Sequence, residues 1–156
     1  MAKKQEIRIR KAEPADLVQV YDLIKELAVF EKAPGEPSNP LKKFIAEGTC
    51  KNPRFYVIVA ESGHQIIGIA LYYYAYSSWK GSMIYLDDLV VRESYRKLGV
   101  GKKLMDELIS IAKEEKVSQV RWHVLDWNEP AINFYKKYPV VFDPAWITVK
   151  LEKEYL

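Results

Sequence analysis

Two stretches of the 156-residue sequence carry residue types and spacings that could do chemistry. The first is Arg96-Lys97-Leu98-Gly99-Val100-Gly101, between an apolar strand pattern and an amphipathic helix pattern. Its two glycines let the backbone turn sharply and bring N–H groups together. The first turn of the following helix adds unpaired N–H groups and partial positive charge. Such an end suits a phosphate or pyrophosphate. Between Arg92 and Lys103 stand five cations (Arg92, Arg96, Lys97, Lys102 and Lys103) and one anion, Glu93. This local +4 exceeds the +3 of the whole chain. The loop lacks the Gly-Lys-Ser/Thr ending of a Walker-type phosphate loop. It also lacks the third glycine of the dinucleotide fingerprint, since Leu104 stands in that place. A glycine turn followed by a helix with solvated lysines is the alternative reading.

The second stretch is Asp87-Asp88, two acids inside the apolar run Tyr85-Leu86 to Leu89-Val90-Val91. Consecutive strand residues point to opposite faces, so one of the two is expected to face a given cleft. A solvated strand end, or pairing with a lysine, is the alternative reading.

The elements that must position these residues follow from periodicity. Glu6 to Arg10 alternates as a strand. Pro14 and Asp16 open a helix with Leu17, Val20, Tyr21, Ile24, Leu27 and Ala28 on one face. A Pro/Gly-rich loop, Lys32 to Asn39, precedes a short helix that Asn39-Pro40 would start. Strands are expected over Phe55–Glu61, Gln65–Tyr76 and Met83–Val91, joined by turns at Ser62-Gly63-His64 and Ser77–Gly81. A helix runs from Lys102 to Lys116, and Val120, Trp122 and Val124 alternate as a strand. A last helix spans Pro130 to Tyr138, and Trp146 to Leu151 alternates like a final strand. The order βαα-βββ-αβ-αβ predicts an α/β (α+β) mixed sheet with helices on both faces, in one domain, residues 1–156.

Composition narrows the class. Hydrophobic residues make up 49% and charged residues 29%, which fits a folded domain. A lone Cys50 and two distant histidines, His64 and His123, give no Cys/His zinc cluster, so no metal is expected. The mild charge does not announce nucleic acid. No apolar run approaches the ~18 residues of a membrane span. Met1 to Arg10 has no apolar stretch behind its basic residues, so a cytoplasmic location is expected.

At this point a resemblance enters. Arg96-x-x-Gly99-x-Gly101 after an apolar strand resembles the acetyl-CoA pyrophosphate loop of the GNAT superfamily of N-acetyltransferases, and the element order is similar to that fold. Asp126-Trp127-Asn128-Glu129-Pro130-Ala131-Ile132-Asn133-Phe134-Tyr135 resembles a segment of spermidine/spermine N-acetyltransferases that carries a cofactor-contacting Asn and a Tyr general acid. Leu23 to Glu31, Tyr72-Tyr73 with Trp79-x-Gly81, Tyr85-Leu86-Asp87-Asp88 and the terminal Lys153 to Leu156 are similar to the same subfamily. Leu125-Asp126-Trp127-Asn128 and Ser78-Trp79-Lys80-Gly81 look closer to its thialysine-acetylating branch. Tyr138-Pro139 stands where that pattern has Gly after the last helix, and the 139–146 segment is shorter.

The resemblance implies acetyl-CoA as cofactor and direct transfer of acetyl to a primary amine of a small molecule, a diamine, polyamine or thialysine-like amino acid. An alkyl ammonium of pKa near 10.4 lies roughly 3.4 units above pH 7, so freeing its lone pair costs about 4.6 kcal/mol. A carboxylate, directly or through water, is therefore useful. By resemblance Asp87 takes that place, although the polyamine enzymes usually have Glu there. Tyr135, whose phenol is protonated at pH 7, would be the general acid for the leaving thiolate; a core tyrosine beside Phe134 is the other reading.

The resemblance further implies a sheet splayed at the cofactor groove. Backbone groups of Leu89, Val90 and Val91 would hold the pantetheine arm there. Arg96, Lys97, Leu98, Gly99, Val100, Gly101 and Lys102 would hold the pyrophosphate, with Asn128, Ala131 and Asn133 beside the arm. Phe30 and Glu31, with Arg121, Trp122 and His123, would contact the acceptor together with Asp87. His123 reads as a hydrogen-bonded strand residue or as a base. A homodimer is implied by resemblance. Protein-lysine or N-terminal acetylation, and a non-catalytic CoA sensor, are the alternatives.

Overall fold

Val57, Ile58, Val59 and Ala60 are all buried, as are Ile66, Ile67, Ile69, Ala70, Leu71 and Tyr72. Continuous burial of this kind marks strands covered on both faces. In the computed structural model, which describes residues 6–156, they form the centre of a five-stranded sheet. Its strands are β1 (Ile7–Lys11), β2 (Tyr56–Ser62), β3 (Gln65–Ser77), β4 (Gly81–Val91) and β5 (Val120–Arg121). They lie in the order β1-β2-β3-β4-β5. The first four are antiparallel, and β5 runs parallel to β4.

Helices α1 (Leu17–Phe30) and α2 (Leu41–Thr49) cover one face. Leu17, Val20, Leu23 and Phe44 form one core with Val57, Val59, Ile66, Ile69, Leu71 and Val90. Arg10 fixes the start of α1. It clamps Asp16 with bonds of 2.7 and 3.0 Å and reaches Glu61 at 3.1 Å. Its guanidinium holds the Asp16 carboxyl below the usual range.

Helix α3 (Val100–Glu114) covers the opposite face with Val100, Leu104, Met105 and Leu108 buried. Gly68, next to Ile69 and so on the other face, lets it approach. A Cβ there would lie 3.1 Å from Leu104 Cδ1, 3.1 Å from Val90 O and 3.2 Å from Val100 Cγ1. The first turn of α3 is thus seated close to the end of β4.

The β4–β5 ladder holds two residue pairs, Ile84↔Val120 and Tyr85↔Arg121. Beyond Tyr85, β4 continues for six residues with no described strand along that edge. The expected strand through Val124 is therefore shorter, because the chain leaves the ladder after Arg121.

The chain divides between His123 and Val124 into two compact units. In the second unit, α4 (Glu129–Tyr135) begins at Asn128, whose side chain accepts from Ala131 N at 3.3 Å. Tyr135 is buried, with Phe134 at 5.4 Å between ring centroids. The expected strand at Trp146–Leu151 does not form; these residues are irregular. Trp146, Ile147, Val149 and Leu151 are exposed. Alternation supplies an apolar face, but a strand also needs a neighbour for its backbone bonds, and no described strand pairs there. The basic N-terminal stretch read from the sequence lies outside the described residues in its first five positions. No helix among the described residues is long and apolar enough to cross a membrane.

Candidate active site

The loop before α3 has the backbone shape its glycines suggested. Gly99 caps the helix at φ +79°, and Lys97 takes φ +63°. No side chain caps the helix start. Lys103 N donates to Gly99 O at 3.1 Å, which leaves the amides of Val100, Gly101 and Lys102 ahead of the helical ladder. A Cβ on Gly99 would meet nothing within 4 Å, so glycine is needed there for its φ and not for space. These amides with Arg96, Lys97 and Lys102 fit a pyrophosphate.

Arg96 does more than line that loop. Its Nε donates to Val91 O at 3.0 Å, and its guanidinium lies 5.5 Å from the centre of the Phe30 ring. Arg92 bridges the same two regions: it pairs with Glu26 of α1, and its Nε donates to Ile66 O at 2.9 Å. The cation loop is thereby tied to the end of α1. That end is fixed by Lys32 at φ +57° and by Ala33 N donating to Ala28 O at 3.0 Å, as left-handed helix C-caps are.

Glu31, just past α1, belongs to an acidic group with Asp87 and Asp88. The β3–β4 register explains how two consecutive acids come to share it. Leu71 pairs with Asp88, and Tyr72 pairs with Leu86, so Asp87 is the extra residue of a β-bulge. The bulge interrupts the strict alternation from which the sequence placed the two acids on opposite faces, and both interact electrostatically with Glu31. Desolvation pushes Asp88 up to about 7, with repulsion from Asp87 and Glu31 adding to it. Glu31 is raised by desolvation and then by Asp87. Asp87 is raised by desolvation, while His123 pulls it back down. Asp88, raised to about 7, therefore holds a proton more readily near neutral pH, while at Asp87 His123 opposes the upward shift. None of the ion pairs among the described residues uses any of the three.

A stability consequence follows from Asp88. Its folded pKa lies above the ordinary carboxylate value, so its contribution favours the fold at low pH and is lost as pH rises through about 7. Asp88→Asn should therefore raise Tm most at pH 8, with the gain shrinking towards pH 4. Thermal melts across that range check it; a pH-independent gain would show that Asp88 ionises as an ordinary surface acid.

Aromatic rings adjoin this acidic group. Tyr73 and Tyr85 stack at 5.1 Å, and both phenols are raised by desolvation first, with Asp87 contributing. Tyr85 Oη is hydrogen-bonded to His123 Nδ1. Of the acceptor residues read from the sequence, Glu31, Asp87, Arg121 and His123 converge here, and Phe30 adjoins through Arg96. Trp122 lies between Arg121 and His123 and is half-buried. Of the acidic pair the sequence-level site gave a role to Asp87 alone, and it did not include Tyr73 and Tyr85. Their signal was the cross-strand pair Tyr73↔Tyr85, which only the register reveals. Val90 is buried in the α1-side core, with Leu89 and Val91 half-buried along the unpaired stretch of β4. Asn128, Ala131, Asn133 and Tyr135 belong to the second unit, where Asn128 and Ala131 make the α4 cap.

The model of the acetyltransferase (GNAT) family matches residues 17–138. The chain belongs to this family. It is 34% identical over 158 residues to thialysine N-epsilon-acetyltransferase of Mus musculus, covering 94% of this chain and 93% of the relative. The enzyme of the same name from Bos taurus is 36% identical over 138 residues, covering 83% and 81%. Among solved structures, an aminoglycoside acetyltransferase from an uncultured soil metagenomic sample superposes with TM-score 0.78 at 19% identity, covering 94% of this chain and 97% of that one. A predicted acetyltransferase with acetyl-CoA from Clostridium acetobutylicum gives TM-score 0.75 at 19% identity, covering 93% and 96%. These two likenesses establish the fold. As a GNAT acetyltransferase, the protein is an acetyl-CoA-dependent acyltransferase.

Proposed function

We propose that this GNAT acetyltransferase acetylates a primary amine of a small molecule, either a diamine or polyamine or a thialysine-like amino acid. The observation that carries the reading is the unpaired acidic group Glu31, Asp87 and Asp88 beside the Tyr73–Tyr85 pair. Carboxylates and aromatic faces together suit an alkyl ammonium. The names of the relatives point the same way. When bound, acetyl-CoA supplies an activated acetyl thioester. Arg96 to Lys102 would hold its pyrophosphate, the backbone of Leu89, Val90 and Val91 would hold its pantetheine arm, and Asn128, Ala131 and Asn133 would supply further cofactor contacts. Phe30, Glu31, Arg121, Trp122 and His123 contact the acceptor. Asp87 draws in the ammonium and takes its proton, directly or through water, which frees the lone pair for attack. Tyr135, with its protonated phenol, would serve as the general acid for the leaving thiolate. In this reading the whole chain serves as one catalytic domain, works in the cytoplasm and pairs as a homodimer.

The test is thiol release from acetyl-CoA across putrescine, spermidine, spermine, thialysine, lysine and a lysine peptide. Selective turnover of thialysine or of the diamines and polyamines is expected. Turnover of the peptide alone would replace the reading with protein acetylation. CoA binding with no amine turned over would make the chain a sensor.

A further inference from the structure

The five cations from Arg92 to Lys103 are not equivalent. Arg92 pairs with Glu26, and Lys102 pairs with Asp106. Arg96, Lys97 and Lys103 enter none of the ion pairs among the described residues. Their charge is left for an anion from outside. Of the three, Arg96 is the one whose side chain the described contacts hold in place.

Those contacts act on both ends of the residue. The backbone closes a tight turn, with Tyr95 N donating to Arg92 O at 2.9 Å and Arg96 N donating to Glu93 O at 3.2 Å. The side chain folds back, and its Nε donates to Val91 O at 3.0 Å. The guanidinium carbon then lies 5.5 Å from the centre of the Phe30 ring, within the range of a cation–π contact. The bond to Val91 uses Nε and leaves the terminal nitrogens, with their planar fork of N–H donors, for an oxyanion.

The ring beneath this fork is itself well supported. Phe30 is the last residue of α1, where Glu31 N donates to Leu27 O at 2.8 Å and Ala33 N donates to Ala28 O at 3.0 Å. The pair between Arg92 and Glu26 holds the same helix about one turn earlier. The ring is 40% exposed, so it is not a core residue. A free arginine side chain samples many rotamers, and ordering it when a ligand binds weakens affinity. An arginine already ordered avoids that cost.

We propose that Phe30 is a positioning residue for acetyl-CoA, whose ring keeps the Arg96 guanidinium ordered in the free protein so that it takes up the pyrophosphate without a further loss of freedom. This rests on the reading that places Arg96 in the pyrophosphate loop. It gives Phe30 a task on the donor side, in addition to the acceptor contact expected from the sequence.

Exchange and calorimetry test this without any acceptor amine. In the free protein, the Arg96 Nε–H signal in a 15N–1H spectrum should exchange faster with solvent in Phe30→Leu than in the parent. Phe30→Tyr keeps the ring face and should restore the slow exchange. CoA affinity by calorimetry should fall about 3- to 10-fold in Phe30→Leu and stay at the parent level in Phe30→Tyr. Arg96→Ala should lose more, and adding Phe30→Leu to it should then cost nothing further, since the ring acts through the arginine. Melting curves of each variant report the fold separately. Parent-level CoA affinity in Phe30→Leu, or losses from the two substitutions that simply add, overturns the proposal while leaving Arg96 in its loop. A rise confined to KM for the amine overturns it too, and makes Phe30 an acceptor contact only. CoA affinity unchanged in Arg96→Ala removes Arg96 from the pyrophosphate site, and the proposal falls with that reading.

Discussion

Asp87→Asn is expected to lower kcat/KM for the amine by about 10²- to 10⁴-fold at pH 7, the usual range for loss of a proton acceptor. The variant keeps the size of the side chain and the bulge that places it. What it loses is the charge that draws in an ammonium and the lone pair that takes its proton. At pH 7 roughly one alkyl amine in 2,500 is neutral, from a pKa of about 10.4. As pH rises towards 10 the amine deprotonates in bulk water, and the need for Asp87 falls. The ratio of parent to variant kcat/KM should therefore shrink steadily between pH 7 and pH 10. A ratio that stays constant across this range would show that Asp87 recognises charge only. Acetyl-CoA affinity, measured alone, should not change.

Gly99→Asp is expected to weaken acetyl-CoA by about 100-fold, or about 2.7 kcal/mol. Two effects combine. A left-handed backbone costs an L residue about 1–2 kcal/mol, and Gly99 stands at φ +79°. The new carboxylate then stands at the mouth of the amides that are to hold pyrophosphate. Gly99→Ala separates the two, because its Cβ would touch nothing within 4 Å and only the backbone cost remains. Calorimetry on both variants should rank parent, alanine and aspartate in that order of falling affinity. Equal affinity for all three would end the assignment of Arg96 to Lys102 as the pyrophosphate loop.

Much of this architecture was legible from periodicity. The helix faces of α1 and α3, the three central strands and the glycine loop all appear in the structure close to where their patterns place them. The misses share a physical cause. A β-bulge is a property of a pair of strands, and nothing in Leu86-Asp87-Asp88-Leu89 announces that Leu71 and Tyr72 will skip a residue. Tyr85 and His123 lie 38 residues apart and meet only because β5 docks parallel to β4. Lys97 takes a left-handed conformation that composition would assign to glycine alone. Trp146 to Leu151 has the alternation of a strand, yet alternation describes side chains and says nothing of a partner for the backbone. Local pattern thus found the elements, while pairing decided which side chains work together.

Arg96 sits in the loop proposed to hold the pyrophosphate, and its guanidinium rests over Phe30 at the end of the helix that leads into Glu31. If Arg96 holds the donor and Phe30 and Glu31 the acceptor, as proposed, the two are not independent ligands. Any rearrangement of Arg96 on taking up a diphosphate changes the surroundings of Phe30, and the free energy involved is shared between both binding events. Linkage requires the effect to be mutual: the factor by which the donor alters affinity for the amine equals the factor by which the amine alters affinity for the donor. An amine affinity measured on the free protein then describes a different equilibrium from the one met during turnover. On this assignment the coupling between the two ligands passes through one pair of side chains, Arg96 and Phe30.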